Sequence, residues 1–241
     1  MSHKTKIRVV DDEPKIRMFI RANLQARGYD VYLAQDGIEA LEVAARVLPD
    51  VIVLDVAMPG MDGIEVCRKL REWADTPIII LSVKEDEKIK VRALDEGADD
   101  YITKPFSLEE LLARVRVALR HAAGAPVPAR IMFTAAGLEV DMTRRIVHLR
   151  GELVKLTRTE YELLAYLIDN IGKVLSHNEI LQNVWGPEYG GESEYVRVFI
   201  GQLRRKIEDD PSNPQFILTV PRIGYRFVNP ETAQPKNRIT P

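Results

Sequence analysis

Between residues 6 and 120 the chain alternates short, mostly apolar runs with longer stretches whose apolar residues recur every three to four positions. The runs are Ile7–Val10, Val31–Ala34, Val51–Leu54, Ile78–Leu81 and Tyr101–Thr103. Rich in β-branched residues and nearly free of polar alternation, they suit strands buried on both faces of a parallel sheet. The stretches between them carry helical spacing; Ile16, Phe19, Ile20 and Leu24 line one face of the first. Several open on a cap: Asp36 with Glu39, Asp62 with Glu65, and Ser107 with Glu110. Strand-then-helix units repeated five times predict a doubly wound α/β domain with a five-stranded parallel sheet over residues 1–120.

The pattern stops at 121–129, HAAGAPVPA, where prolines and glycine among alanines read as a linker. Beyond it the grammar changes. Leu138–Val140, Ile146–Leu149 and Leu153–Leu156 read as short alternating strands, divided by turn chemistry at Asp141–Arg144 and Arg150–Gly151. Helices follow from capping boxes at Thr157/Glu160 and Ser176/Glu179, and a third runs from about Ser193 to Glu208. Phe216–Val220 and Tyr225–Val228 read as a hairpin through Pro221–Gly224. The order β-β-β-α-α-α-β-β over residues 130–229 is α+β and not parallel, and the polar, proline-containing stretch 230–241 is expected to be disordered.

Composition changes this picture little. At 241 residues the chain has room for two domains that each bury a core. Its one cysteine, Cys67, rules out a disulfide framework and a thiol zinc cluster, and its place in the amphipathic stretch Gly63–Trp73 suggests a buried small apolar residue. Met1–Lys6 has no apolar signal core, and no apolar run approaches the ~20 residues that span a bilayer. No membrane association and a cytoplasmic location are expected.

Charge matters more by position than by sum. Net charge is −2 overall; residues 1–120 carry 19 basic and 22 acidic side chains, and residues 130–228 carry 13 of each. Nucleic-acid binding would therefore need a local basic face.

Such sites are sought first where an open α/β sheet binds ligands, beyond the carboxyl ends of its strands. The first strand ends in Asp11–Asp12, the third in Asp55, the fourth in Ser82 and the fifth in Lys104–Pro105. Crowded carboxylates repel and shift one another's pKa unless a cation lies between them. A hard divalent ion such as Mg²⁺ meets that need and would neutralise an incoming phosphoryl group. A carboxylate can then act as nucleophile to give an aspartyl phosphate, with Lys104 and Ser82 suited to the phosphoryl oxygens. Each feature alone is ordinary turn chemistry. Their coincidence at successive strand ends is not.

The segments VVDDE, VIVLDVAMPGMDG, the ILS ending of the fourth strand and ADDYITKPFSLEEL closely resemble the flavodoxin-like receiver domains of two-component response regulators. The resemblance covers nearly all of residues 6–120. It implies that a histidine kinase phosphorylates Asp55, that Asp12 ligates Mg²⁺ directly and Asp11 through water, and that the Asp55 side chain and the Ala57 carbonyl complete the protein ligands. Lys104 matches the phosphate-binding lysine, Ser82 the switch hydroxyl, and Tyr101 the aromatic that follows it inward; Pro105 matches a position where a cis bond is usual.

On a helical wheel of Ser193–Glu208, Val196, Ile200, Leu203 and Ile207 share one arc and predict a core face. Opposite lie Glu194, Val198, Gly201, Gln202 and Arg205, flanked by Arg197, Arg204 and Lys206, which supplies the local basic face. Arg and Lys suit phosphates or guanine edges, Gln suits adenine, and Val198 suits a thymine methyl. LTRTEYELLAYLIDNIGKVLSHNEILQNVWG, this basic helix and TVPRIGYRF resemble the winged helix-turn-helix effector of the OmpR/PhoB family over about residues 131–228. That resemblance puts the third helix in the major groove of promoter DNA and the hairpin wing against the adjacent backbone or minor groove. Tyr195, Arg197, Val198, Gln202, Arg204, Arg205 and Arg222 become the candidate DNA contacts. The runs EYVRVFIGQLRRKIEDDP and RIGYRF look closest to the KdpE-type regulators of potassium transport. The chain departs from common members at Phe199, Gly201 and Pro221. The loop Trp185–Gly191 corresponds to one that can meet RNA polymerase in relatives, although Trp185 reads equally well as a core anchor.

The same resemblance implies a homodimer formed on phosphorylation through the fourth helix, fifth strand and fifth helix. Self-complementary charges are present there: Lys90 for Glu110, Asp100 for Arg114, and Asp99 or Asp95 for Arg116. Two readings compete. A haloacid-dehalogenase-type phosphotransferase or phosphatase would want a second carboxylate two residues after the nucleophile, where this chain has Ala57. A receiver that is no longer phosphorylated would show a broken acidic triad, and Asp11, Asp12 and Asp55 are all present.

Overall fold

A computed structural model describes residues 4–83, 87–123, 132–190 and 192–232. The expected linker at 124–129, Gly191 and the expected tail from residue 233 onward lie outside the described residues. The chain divides into two compact units.

In the first unit, the β-branched runs become β1 (Lys6–Val10), β2 (Asp30–Ala34), β3 (Val51–Asp55), β4 (Ile78–Ser82) and β5 (Asp100–Thr103). They form a sheet of order β2-β1-β3-β4-β5 in which every neighbouring pair is parallel. Between them run α1 (Pro14–Gln25), α2 (Gly37–Val47), α3 (Gly63–Arg71), α4 (Glu87–Asp95) and α5 (Leu108–Ala123). Strand side chains alternate between faces. Ile7, Val9, Val51, Val53, Ile79 and Leu81 therefore pack on one side against Ile20 and Leu24 of α1 and Leu111, Leu112 and Val115 of α5. The predicted caps form: the side chains of Asp36, Asp62 and Ser107 accept from the backbone N–H of Glu39, Glu65 and Glu110 at 2.9, 2.7 and 3.0 Å.

Two expectations need correction here. Phe19 is 50% exposed, because the buried stripe of α1 is narrow and follows Ile16, Ile20 and Leu24. Residues 121–123, assigned by sequence to the linker, continue α5, since nothing before Gly124 breaks a helix.

The second unit begins with an antiparallel sheet of β6 (Met132–Ala135), β7 (Leu138–Asp141), β8 (Ile146–Leu149) and β9 (Glu152–Leu153). After it come α6 (Arg158–Asp169), β10 (Leu175–Ser176), α7 (His177–Val184), α8 (Ser193–Ile207), β11 (Ile217–Val220) and β12 (Gly224–Phe227). The last two strands form a hairpin, and β10 pairs with β12 to make a second sheet of order β10-β12-β11. β6 and β10 were absent from the predicted order, and the strand expected at Leu153–Leu156 is reduced to Glu152–Leu153. Their pairing partners, not their own sequences, define β6 and β10. Gly224 permits the β10–β12 contact: a Cβ there would lie 2.1 Å from the Leu175 carbonyl oxygen. The arrangement is a winged helix, with α8 as third helix and β11–β12 as wing.

Candidate functional site

Parallel strands bring their carboxyl ends to one rim, so the residues that close β1, β3, β4 and β5 meet there. Register fixes the order: Asp55 lies opposite Leu81, and Ser82 opposite Thr103. Lys104 N–H donates to the Ser82 carbonyl at 2.6 Å, which carries its side chain toward the acidic end of β1.

Lys104 Nζ donates to Asp11 Oδ2 at 2.7 Å and lies 2.5 Å from Asp55 Oδ1. Both carboxylates are buried, whereas Asp12 is exposed at the mouth of the site. Asp55 Oδ2 accepts the Ala57 N–H at 2.9 Å. Asp11 Oδ1 accepts the Glu13 N–H at 2.8 Å, and Arg17 Nη1 donates to the Asp11 carbonyl at 2.5 Å. Burial raises the Asp55 pKa above the usual carboxylate range despite the Lys104 ammonium, and Asp11 nearby adds to the rise. Burial disfavours the ammonium of Lys104, yet its bonds to Asp11 and Asp55 win and hold its pKa above the usual value.

Ser82 and Tyr101 are both buried. The Lys104–Pro105 peptide is cis. Gly63 also shapes the site. Gly63 opens α3 so close to β3 that a Cβ would stand 2.0 Å from the Asp55 carbonyl oxygen. The MDG tripeptide after Asp55 was the available signal, and the need for Gly in it is steric.

The hard-oxygen donor set of Asp11, Asp12 and Asp55 has the chemistry for a divalent cation. In this structure the Lys104 ammonium bridges two of its members, and among the described residues no three acidic, His or Cys side chains converge as a ready metal cage. The site is an acidic pocket closed by one lysine.

The predicted dimer charges divide. Asp95 and Arg116 are exposed, and Lys90 and Glu110 are half-buried. Asp100 and Arg114, expected to meet across two subunits, pair within one chain at 3.8 Å, and Arg114 also reaches Glu110 at 3.7 Å. Asp99, one of two candidates with Asp95 to meet Arg116 of a second subunit, takes Arg71 Nη2 and the Ile78 N–H within the chain at 2.7 and 2.8 Å. Arg71 has few alternatives, because it also holds the carbonyls of Gly97, Ala74 and Thr76.

The predicted DNA contacts divide too. Arg197, Arg205 and Arg222 are exposed, and Val198 is half-buried on the same side of α8. Tyr195 and Gln202 are buried, contrary to their assignment as DNA contacts. The reason is a second covered flank of the helix. Trp185 packs edge-on against Tyr195 and Phe199, with ring centroids 6.0 and 5.1 Å apart, and Gln202 continues that flank. Lys206, on the same side, donates to Glu160 at 2.6 Å. Arg204 points at the wing: Nη2 donates to the Ile217 carbonyl at 2.6 Å and to Thr219 Oγ1 at 2.8 Å. In the loop after α7, Trp185 and Tyr189 are buried, leaving Pro187 and Glu188 exposed.

Comparison with known proteins agrees with both halves. Residues 7–116 match the response regulator receiver domain, and residues 151–227 match the model described as transcriptional regulatory protein, C terminal. The chain is 46% identical over 223 residues to the transcriptional regulatory protein KdpE of Mycobacterium tuberculosis, covering 92% of this chain and 99% of that one. It is 43% identical over 224 residues to the KDP operon transcriptional regulatory protein KdpE of Escherichia coli, covering 93% and 99%. Among solved structures it is similar to DrrB, an OmpR/PhoB homologue of Thermotoga maritima, at 33% identity and TM-score 0.51, covering 94% of this chain and all of that one. Among the described residues no helix is long and apolar enough to cross a membrane.

Proposed function

The chain belongs to the two-component response regulators of the OmpR/PhoB type, DNA-binding transcription regulators that answer to a sensor kinase, and on that premise we propose that Asp55 is its phosphoacceptor. One observation carries the reading: Asp55 is buried at the rim of the sheet, 2.5 Å from the Lys104 ammonium and beside Asp11. In the transfer, an Asp55 oxygen forms a bond to phosphorus as the bond to the kinase histidine nitrogen breaks. Lys104 and the Ser82 hydroxyl hold the phosphoryl oxygens, and Tyr101 is the switch aromatic. Asp11, Asp12, Asp55 and the Ala57 carbonyl would hold Mg²⁺, which when bound supplies neutralising charge at the site. With Ala57 where a hydrolase would need an acid, turnover is not part of the reaction.

Phosphorylation then favours a homodimer through Lys90, Asp95, Asp99, Asp100, Glu110, Arg114 and Arg116. For Asp99, Asp100 and Arg114 this means exchanging partners held within the chain. The dimer sets two α8 helices on promoter half-sites through Arg197, Val198 and Arg205, with Arg222 at the wing. Pro187 and Glu188 offer a contact to RNA polymerase. The kinship with KdpE makes potassium-transport genes the proposed targets, and a cytoplasmic location goes with that reading.

Incubation with acetyl phosphate and Mg²⁺, followed by phosphate-affinity electrophoresis, tests the first step. A stable retarded band lost in Asp55→Asn is expected. Continuous phosphate release, or no band, would overturn the reading. Genome-wide footprinting of the phosphorylated chain tests the targets.

A further inference from the structure

The end of α8 is bound to the wing through two side chains, the half-buried Arg204, which lies on the same side of the helix as Arg197, and the buried C-cap residue Glu208. Arg204 reaches β11 with Nε at 3.1 Å and Nη2 at 2.6 Å from the Ile217 carbonyl, and with Nη2 at 2.8 Å from Thr219 Oγ1. Its guanidinium also lies over the Tyr225 ring of β12, 5.7 Å from the centroid. Thr219 and Tyr225 are directly paired across the hairpin. Arg204 thus touches both strands, bonding Ile217 and Thr219 of β11 and lying over Tyr225 of β12, close to the Val220–Gly224 rung that leads into the turn bearing Arg222.

Glu208 secures the other end of the same connection. Its buried carboxylate accepts the N–H groups of Gln215, Phe216 and Ile217 at 2.7, 3.0 and 2.8 Å. A carboxylate at a helix C-terminus meets the unfavourable end of the helix dipole. Donation from three backbone amides is what offsets that, and it closes the segment 209–214 into one fixed loop.

We infer that Arg204 and Glu208 are positioning residues that fix the wing against α8, so that Arg222 is presented to DNA at a set distance from Arg197 and Arg205. This rests on the reading of α8 and the wing as the DNA-binding elements. It removes Arg204 from the set of direct DNA contacts and makes it act through Arg222.

A double-mutant cycle in the full-length, beryllofluoride-treated protein separates the roles. The probe is a duplex selected from a random-sequence library by the wild-type chain; failure to select any duplex would sink the DNA-binding reading itself. Binding is measured against salt for Arg204→Ala, Arg222→Ala and the double variant. If Arg204 acts through the wing, each single change weakens binding roughly tenfold to a hundredfold, and the double variant binds about as well as Arg222→Ala. The salt dependence then falls by about one phosphate contact in all three, and hydroxyl-radical protection is lost only at the flank touched by the wing. If the two penalties multiply and the double variant loses about two contacts, Arg204 touches DNA directly and the inference is overturned. Should Arg204→Ala fail to fold by circular dichroism, Arg204→Lys carries the same comparison, since an ammonium lacks the planar fork that bonds Ile217 and Thr219 while lying over Tyr225. Glu208→Gln should reproduce the wing-limited loss of protection, and protection lost evenly across the site would count against it.

Discussion

Lys104 and Asp55 form an ion pair at 2.5 Å across two strand ends, with the carboxylate buried and its lysine partner nearly so. Burial nonetheless outweighs the ammonium, and the Asp55 pKa stands above the ordinary carboxylate value. Two consequences have opposite practical signs. On acidification the nucleophile is protonated earlier than an ordinary aspartate would be, so labelling by acetyl phosphate should decline at a pH above the usual aspartate range. A pH profile of the phosphorylated band checks this.

For stability, a carboxyl whose folded pKa is raised binds its proton more tightly in the native state. Its ionisation therefore costs stability as pH rises from the unfolded value of 3.8 through the folded one. Asp55→Asn removes that cost. The effect of Asp55→Asn on the melting temperature should therefore be more favourable near neutrality than below the unfolded pKa. Calorimetry at neutral and acidic pH reads both arms, and an effect equal at every pH would contradict a raised folded pKa at Asp55.

Arg8 sits on β1 fully buried, with a hydrogen bond from Nη2 to the Glu39 carbonyl at 3.1 Å, while Nε and Nη1 have no partner among the described residues. Burial pulls its pKa down to about 10. A buried, poorly paired charge is costlier than an apolar side chain of similar size, so Arg8→Leu should stabilise the first unit by about 1–4 kcal/mol. Because the folded pKa is lowered, the penalty is constant through neutral pH and shrinks only above about 10. Urea titrations at neutral and alkaline pH measure the gain and its decline.

Two glycines should respond to alanine with opposite signs. Gly63→Ala would set a Cβ 2.0 Å from the Asp55 carbonyl oxygen, so the start of α3 or the end of β3 must move. A loss of about 1–3 kcal/mol and slower phosphorylation are expected. Gly201 lies inside α8 with nothing within 4 Å of a built Cβ. Gly201→Ala should stabilise the second unit by about 0.5–1 kcal/mol through helix propensity alone. Chemical denaturation of the full chain, followed with the phosphorylation assay, distinguishes the two.

Cys67 is fully buried in α3, and burial pushes its thiol up to about 12. Iodoacetamide should leave the native protein unmodified and label it only as the fold opens, at a rate that tracks unfolding. Rapid native labelling at neutral pH would refute this placement.

Features that depend on near neighbours or on repetition follow from the order of residues alone. β-branched runs gave the five parallel strands, the side chains of Asp36, Asp62 and Ser107 capped the helices they precede, and the parallel sheet guaranteed that Asp11, Asp55, Ser82 and Lys104 share one rim. Which faces are covered twice depends on packing between segments distant in the chain. Tyr195 and Phe199 lie against Trp185, Arg204 turns to the wing, Phe19 slips off the buried stripe of α1, and the two-residue strand β10 exists because β12 lies beside it. A helical wheel separates apolar from polar positions but does not contain the elements that will pack on its flanks. Those contacts join residues far apart in the chain, and they set which of the charged side chains on α8 stay exposed.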